Sequence, residues 1–378
     1  MEVHENVELK WSNMHAGIMA QIDYVRTAPR SLYEQAKAKL VVPKRLRNVY
    51  MVGCGDSHYC GLAARLAFQE WTGLNVEALE SLEFSRYVVD FAPAESLVIG
   101  VSNSGNVART CESIIFAKRK GLATCGITYN HQGRLASEAQ AVILYEYKDT
   151  GFGPGTISYI ASLVSLYVVG LRLAEVLGKM THVEVEAKLA EIEKQAGAIA
   201  ASLEDGDKAL AVLGQETDLN TSIFIIGGGP NYGTALFGMA KLIEAAACNA
   251  TGQELEEWAH EQYFCTKAGT LTFVIAPPGR SVDRAREQIQ AARDMGSKVA
   301  VIGSADDEET KAQADIFLSV PAWVRESLSP ISYCLATELF AYHFASTKKN
   351  VTMLGFDDAN RMSVNFRQIF GSKIPGDQ

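Results

Sequence analysis

The sequence predicts an α/β protein made of two tandem doubly wound parallel-sheet subdomains, with a helical N-terminal lead-in and a helical connector. Three observations carry this prediction. The chain has 378 residues, enough for two domains of about 150–200 residues each. Short β-branched runs alternate with helical segments, the pattern of a parallel sheet with crossover helices. Landmarks of the first half also recur in the second at one offset: Gly53 plus 174 is Gly227, Gly105 plus 174 is Gly279, and Ala141 plus 174 is Asp315. A fixed offset of this kind reads as a tandem repeat.

In chain order, residues 1–45 read as the lead-in and 46–177 as the first subdomain. Its strands are expected at Asn48–Gly53, Val76–Glu80, Leu97–Val101, Ala123–Thr128 and Ala141–Tyr145, with helices between them such as His58–Trp71 and Val107–Lys120. The apolar run Ile160–Leu177 contains Ser162, Ser165 and Tyr167 and is short for a membrane span, so it reads as a buried core helix. Residues 178–213, rich in Ala, Glu and Lys, read as the connector, and 214–350 as the second subdomain. Strands are expected there at Ser222–Ile226, Leu271–Ile275, Lys298–Ile302 and Asp315–Val320. The tail, 351–378, has no counterpart in the first half from about Gly355 onward.

Composition narrows the function. Apolar residues make up 48% and charged residues 21%, which excludes disorder and collagen-like repeats. The net charge is −9, from 35 basic and 44 acidic side chains, and argues against a nucleic-acid partner. Seven cysteines without CxxC or Cys/His spacing suggest no metal site and buried thiols in a reducing cytoplasm. The acidic, polar start MEVHENVELK does not read as a signal peptide. A soluble, cytoplasmic protein without a membrane partner is expected.

Ligands of such sheets bind at the carboxyl ends of the strands. Two small polar loops stand there in the first half: Gly53-Cys54-Gly55-Asp56-Ser57 and Ser102-Asn103-Ser104-Gly105-Asn106. Each opens into a helix, so hydroxyls and helix-terminal amides converge, a combination suited to an anion. In the second half the matching loop is Ala276-Pro277-Pro278-Gly279, which lacks the hydroxyls and whose prolines lack N–H donors. Only the first half is therefore expected to hold the anion. Neither GCGDSH nor GGGPNYG completes a dinucleotide fingerprint, and no P-loop lysine is present. No cofactor is expected.

These loops resemble those of the SIS (sugar isomerase) family, with its flavodoxin-like subdomains. The likeness runs from about Val41 to Phe366 and is strongest to the isomerase half of glucosamine-6-phosphate synthase and to fructosamine-6-phosphate deglycases. The family's CGxS and SxSGxT loops read Cys54-Gly55-Asp56-Ser57 and Ser102-Asn103-Ser104-Gly105-Asn106-Val107. The resemblance implies that Gly55, Asp56, Ser57, Ser102, Asn103, Ser104 and Asn106 line the substrate site, with the serines and Asn103 on the terminal anion. The family's KLxE helix reads Lys241-Leu242-Ile243-Glu244, and His260 follows sixteen residues on, with Glu257 three before it. By resemblance, Glu244 is the base that moves a proton between C1 and C2 of an open-chain sugar, and His260 assists ring opening. Glu257 and Arg361 join the substrate-binding set. The resemblance also implies a homodimer or higher homo-oligomer with a shared active site, because this His often comes from a neighbouring subunit, and a tail that closes the site.

The chain departs from the pattern at three places. Val107 stands where the family has Thr, which removes a hydroxyl. Asp56 places a carboxylate in the anion loop, where it would repel a dianion unless it faces a sugar hydroxyl or an amine. The tail, Asp357–Asn365, has no Lys at the family's position, though Arg361 is kept. With no N-terminal Cys and no long extra domain, use of glutamine as an ammonia source is not expected. The first expectation is a ketose–aldose isomerase acting on a hexose with a terminal anion, a 6-phosphate or a 6-sulfonate. The alternative is a deglycase or deaminase of a fructosamine 6-phosphate or glucosamine 6-phosphate. A sugar-sensing regulator is weaker, since no DNA-binding domain is evident.

Overall fold

The computed structural model describes residues 10–349, 351–355 and 358–376. Residues 1–9 of the expected lead-in and Asp357 of the tail lie outside them. The chain runs α1 (Trp11–Lys39), β1 (Asn48–Gly53), α2 (Asp56–Thr72), β2 (Asn75–Glu80), α3 (Ser81–Glu83), β3 (Ser96–Val101), α4 (Ala108–Arg119), β4 (Ala123–Thr128), α5 (Arg134–Glu138), β5 (Ala141–Leu144), α6 (Ile157–Val176) and α7 (His182–Glu216). It continues with β6 (Ile223–Gly227), α8 (Pro230–Ala246), β7 (Ala250–Glu254), α9 (Glu257–His260), β8 (Leu271–Ala276), α10 (Val282–Asp294), β9 (Lys298–Ser304), α11 (Glu308–Gln313), β10 (Ile316–Val320), α12 (Pro330–Tyr333), α13 (Leu335–Ser346) and α14 (Ala359–Phe370).

Two compact units result. The first-sheet unit takes 23–148, 158–194 and 359–378. Its five strands run parallel in the order β2-β1-β3-β4-β5. β3 and β4 are buried at every position, as helices on both faces require. Tyr50, Val52, Phe84, Val98, Ile114 and Leu135 form one core cluster, which also takes in Ile374 from the tail. The tail is held there by backbone carbonyls: Arg109 donates to Lys373 O at 2.5 Å and to Ser372 O at 3.4 Å. Helix α6 is long and apolar enough to cross a membrane, but 89% of its most apolar window is buried within the protein.

The second-sheet unit takes 1–22, 149–157 and 195–358. Its parallel strands stand in the order β7-β6-β8-β9-β10, the same winding as the first. Phe224, Ile226, Trp258, Val274, Ile289 and Val301 belong to its core cluster. Strand β7, Ala-Thr-Gly-Gln-Glu, is the counterpart of β2 and has no apolar run to announce it. It pairs with β6 through backbone bonds alone at the sheet edge.

The repeat extends to backbone geometry. Gly55 precedes α2 with φ 54° and ψ −129°, and Gly229 precedes α8 with φ 56° and ψ −125°. Both helices have 17 residues and end in a left-handed residue, Gly73 in one and Ala247 in the other. Positive φ favours glycine at three of these positions, and at the fourth Ala247 adopts it at some cost. All seven cysteines are free. The expectation that they are buried holds for Cys60, Cys111, Cys125 and Cys334, whereas Cys54 and Cys265 are exposed and Cys248 is half-buried. Cys54 and Cys265 sit in connecting segments, where apolar neighbours in sequence do not become neighbours in space.

Candidate functional site

In the first sheet, β1 lies between β2 and β3, so the chain reverses its winding direction between β1 and β3. Crevices of this kind are where open α/β sheets take ligands. Val52 pairs with Gly100, so both strands end level and their loops emerge side by side. Cys54 Sγ lies 3.9 Å from Thr110 Oγ1 and ties the first loop to α4. The loops then turn into α2 and α4, and neither helix has a side-chain cap. The Ser57 amide donates to Cys54 O, and those of His58 and Tyr59 to Gly55 O, so what the start of α2 offers a ligand is chiefly the positive end of its dipole, which favours negative charge.

The predicted side chains fill this crevice unequally. Ser102 is almost fully buried, yet its Oγ has no hydrogen-bond partner among the described residues. A buried hydroxyl without a partner is costly unless a ligand supplies one. Ser57 is half-buried on the first turn of α2. Ser104 Oγ accepts from Asn106 N at 3.2 Å, which leaves its proton to give. Asn106 has a scaffold partner: its Oδ1 accepts from Arg134 N at 3.0 Å at the start of α5. Asn103 is exposed at the rim. Asp56 is half-buried in the first turn of α2. Burial first, and then the Asp56 charge, pushes the Cys60 thiol well above its ordinary range. Arg361 is exposed on α14.

His58, which sequence reading passed over, follows Ser57 on α2. Its ring is buried, with Nδ1 3.6 Å from Glu80 Oε1 at the end of β2. Burial lowers its basicity, and the Glu80 carboxylate raises it by less. Nothing in the sequence pairs these two residues, which meet only because β2 lies beside β1.

The second sheet has the same crevice with different contents. Glu326 brings its carboxylate over the loops there: Oε1 accepts from Arg280 N at 3.2 Å. A Cβ on Gly279 would lie 2.4 Å from Glu326 Cδ, and a Cβ on Gly229 4.0 Å from its Oε1. The chain's own anion thus occupies the second crevice.

This unit also carries the predicted acid–base residues. Glu244 lies in the last turn of α8, its side chain 32% exposed, with Oε2 2.5 Å from Lys241 Nζ. Lys241 is fully buried, and its ammonium lies 5.1 Å from the centre of the Phe237 ring. A buried ammonium requires a counter-charge, so one Glu244 oxygen is engaged. The other has no hydrogen-bond partner among the described residues, on a side chain that is partly exposed. On α9, Trp258 is fully buried and anchors a turn whose neighbours Glu257 and His260 are exposed. The Glu257 amide donates to Glu254 Oε2 at 3.2 Å, and His260 Nε2 lies 3.5 Å from Glu256 Oε1. No group of three or more His, Cys, Asp or Glu side chains among the described residues is arranged to hold a metal.

Comparison with known proteins adds the following. The SIS domain family matches the chain twice, at residues 44–172 and 219–348. A glutamine--fructose-6-phosphate aminotransferase [isomerizing] of Gloeobacter violaceus is 28% identical over 308 residues, covering 80% of this chain and 49% of that protein. The chain thus spans about half the length of the curated relatives it matches. Among solved structures, the C-terminal domain of glucosamine-fructose-6-phosphate aminotransferase from Francisella tularensis superposes with a TM-score of 0.78 at 18% identity, covering 89% of this chain and 96% of that one. Tagatose-6-phosphate ketose/aldose isomerase from Escherichia coli gives 0.69 at 17% identity, covering 91% and 95%. The solved structures, at these identities, speak to the fold.

Proposed function

Because the chain belongs to the SIS domain family, we propose that it is a cytoplasmic sugar isomerase interconverting the ketose and aldose forms of a hexose with a terminal anion. The observation that carries the reading is the first-sheet crevice. It presents two helix N-termini without side-chain caps, and beside them a buried Ser102 hydroxyl with no partner among the described residues. Ser57, Ser102, Asn103 and Ser104 hold the anion, a 6-phosphate or a 6-sulfonate, with Gly55 and Asn106 shaping the loops. Glu257 and Arg361 complete the substrate-binding set.

The chemistry is a proton transfer through an enediol. Glu244 removes the proton from C1 of the open-chain ketose. The electron pair forms the C1–C2 double bond as the C2=O π bond breaks and O2 takes up a proton. Loss of the O1 proton then forms C1=O, and the double-bond pair takes the proton back from Glu244 at C2 to give the aldose. His260 moves a proton between the ring oxygen and the anomeric hydroxyl, and in a homodimer it would serve the neighbouring subunit. Asp56 supports a second reading. A carboxylate among anion-binding hydroxyls suits an amine, as in C–N cleavage of an amino-sugar phosphate.

The test incubates the protein in deuterated water with fructose 6-phosphate, its 6-sulfonate analogue, glucosamine 6-phosphate and a fructosamine 6-phosphate. The expected result is isomer exchange, with deuterium entering at C1 or C2. Release of ammonia or an amino acid without isomer exchange favours the second reading. No exchange with any ketose or aldose overturns the first.

A further inference from the structure

Three tyrosines close one corner of the first sheet, and the scheme above gives them no part. Tyr129 follows β4, and Tyr145 and Tyr147 follow β5. Thr128 pairs with Leu144, so these extensions leave the sheet together. The ring centroids lie 4.9 Å apart for Tyr129 and Tyr147, and 6.1 Å apart for Tyr145 and Tyr147. Tyr145 is buried, whereas Tyr129 is 41% exposed.

Two of the hydroxyls converge on one atom. Tyr145 and Tyr147 both donate to Asn103 Oδ1, at 3.1 Å and 3.0 Å. Tyr145 Oη in turn accepts from Ser162 Oγ at 3.1 Å, so its single proton goes to Asn103. Burial raises the ionisation of the Tyr145 phenol well above its ordinary value, which keeps it a donor. The Asn103 backbone is tied down as well: its carbonyl accepts from Thr128 Oγ1 and from Tyr129 N, each at 3.3 Å. An amide oxygen has two lone pairs, and here both have donors. The two Nδ2 protons meet no acceptor among the described residues.

We propose that Tyr145 and Tyr147 are positioning residues that fix the Asn103 amide, so that Nδ2 and never Oδ1 faces the substrate's terminal oxyanion. The assignment rests on the reading that this crevice binds that anion. A freely turning amide offers oxygen as readily as nitrogen, and oxygen against an oxyanion is repulsive. Holding the rotor also removes an ordering cost from binding. Asn103 then acts as an oriented neutral donor in a pair of loops that contain no Lys or Arg.

The test measures inorganic phosphate binding by calorimetry and the kinetics of fructose 6-phosphate isomerisation. Tyr145→Phe with Tyr147→Phe keeps both rings and removes both hydroxyls. It should weaken phosphate binding and raise KM about tenfold while kcat stays within about twofold, the pattern of lost uniform binding. Asn103→Asp keeps an acceptor for both phenols but offers no donor, and should lose at least as much. Adding the two Phe changes to Asn103→Asp should cost less than about twofold more, because all three residues act through one group. Phosphate binding within twofold of the parent, in either the double-Phe protein or Asn103→Asp, overturns the assignment even if thermal stability falls. If no sugar phosphate is isomerised yet phosphate binding drops as described, the isomerase reading fails and the assignment stands. Absence of phosphate binding to the unaltered protein overturns the assignment.

Discussion

The carboxylate of Glu326 packs against Gly279, where a Cβ would lie 2.4 Å from Glu326 Cδ. It also accepts the Arg280 amide. In the second sheet, an internal carboxylate therefore lies against Gly279, the counterpart of Gly105 in the first sheet's serine loop. Gly279→Ala must push this carboxylate off its amide. The expected cost is about 0.5–1.5 kcal/mol, the net worth of a typical hydrogen bond, because the displaced carboxylate is the end of a flexible side chain. Urea unfolding measures it. Adding Glu326→Ala should make the double change cost less than the sum of the singles. Strict additivity would mean that the two side chains do not meet in solution.

Glu244→Gln should lower kcat about a hundredfold to ten-thousandfold, the usual range for a lost general base, while KM changes little. Turnover near that of the parent would remove Glu244 from the chemistry. The substitution also takes the counter-charge from buried Lys241. Breaking a fully buried pair costs about 3–5 kcal/mol. Glu244 is 32% exposed and Gln still offers an oxygen, so the loss should be smaller. Thermal unfolding of the two proteins separates the stability effect from the catalytic one.

Ser102→Ala with Ser104→Ala should act mainly on KM, raising it roughly a hundredfold or more at about 1.5–3 kcal/mol per hydrogen bond to a charged group. Because Ser102 Oγ has no partner among the described residues, its removal should leave stability unchanged or slightly improved. A large fall in unfolding temperature with unchanged KM would make these serines scaffold residues.

His58 ties stability to pH. Burial holds its folded-state pKa below that of the unfolded chain, against a smaller opposing effect from Glu80. Below the unfolded value of about 6.5, the unfolded chain takes up a proton that the folded one resists. This group therefore favours unfolding as pH falls through that value, until the folded pKa is passed. Urea midpoints at about pH 7.5 and about pH 5.5, on either side of that unfolded value, should differ more in the parent than in His58→Asn. Equal differences would place the His58 proton outside the folding equilibrium.

What the sequence disclosed follows from the range of each interaction. Runs such as Leu97–Val101 and Ala123–Thr128 become strands because burial on both faces demands continuous apolar side chains. The glycine landmarks carry the repeat because turn geometry is local. Strand β7 escapes notice, since Ala250–Glu254 pairs by backbone alone and carries polar side chains. The two serine loops and the KLxE helix are contiguous motifs, so their places at strand ends and on α8 could be read directly, and the Lys241–Glu244 pair follows from its spacing. By contrast, His58 with Glu80, Asn103 with Tyr145 and Tyr147, and Gly279 with Glu326 are meetings made by the sheet order. No local pattern encodes them.

The matched turns at Gly55 and Gly229 provide an internal reference. Ser57 and Asn231 occupy the same helical position 174 residues apart. Asn231 donates to Ser329 Oγ at 2.8 Å, while Ser57 is half-buried. Paired substitutions at such twin positions separate the cost of disturbing the scaffold from the cost of losing a ligand contact, within a single polypeptide. Duplication has in this way left the protein with two copies of one piece of architecture, each a calibration for the other.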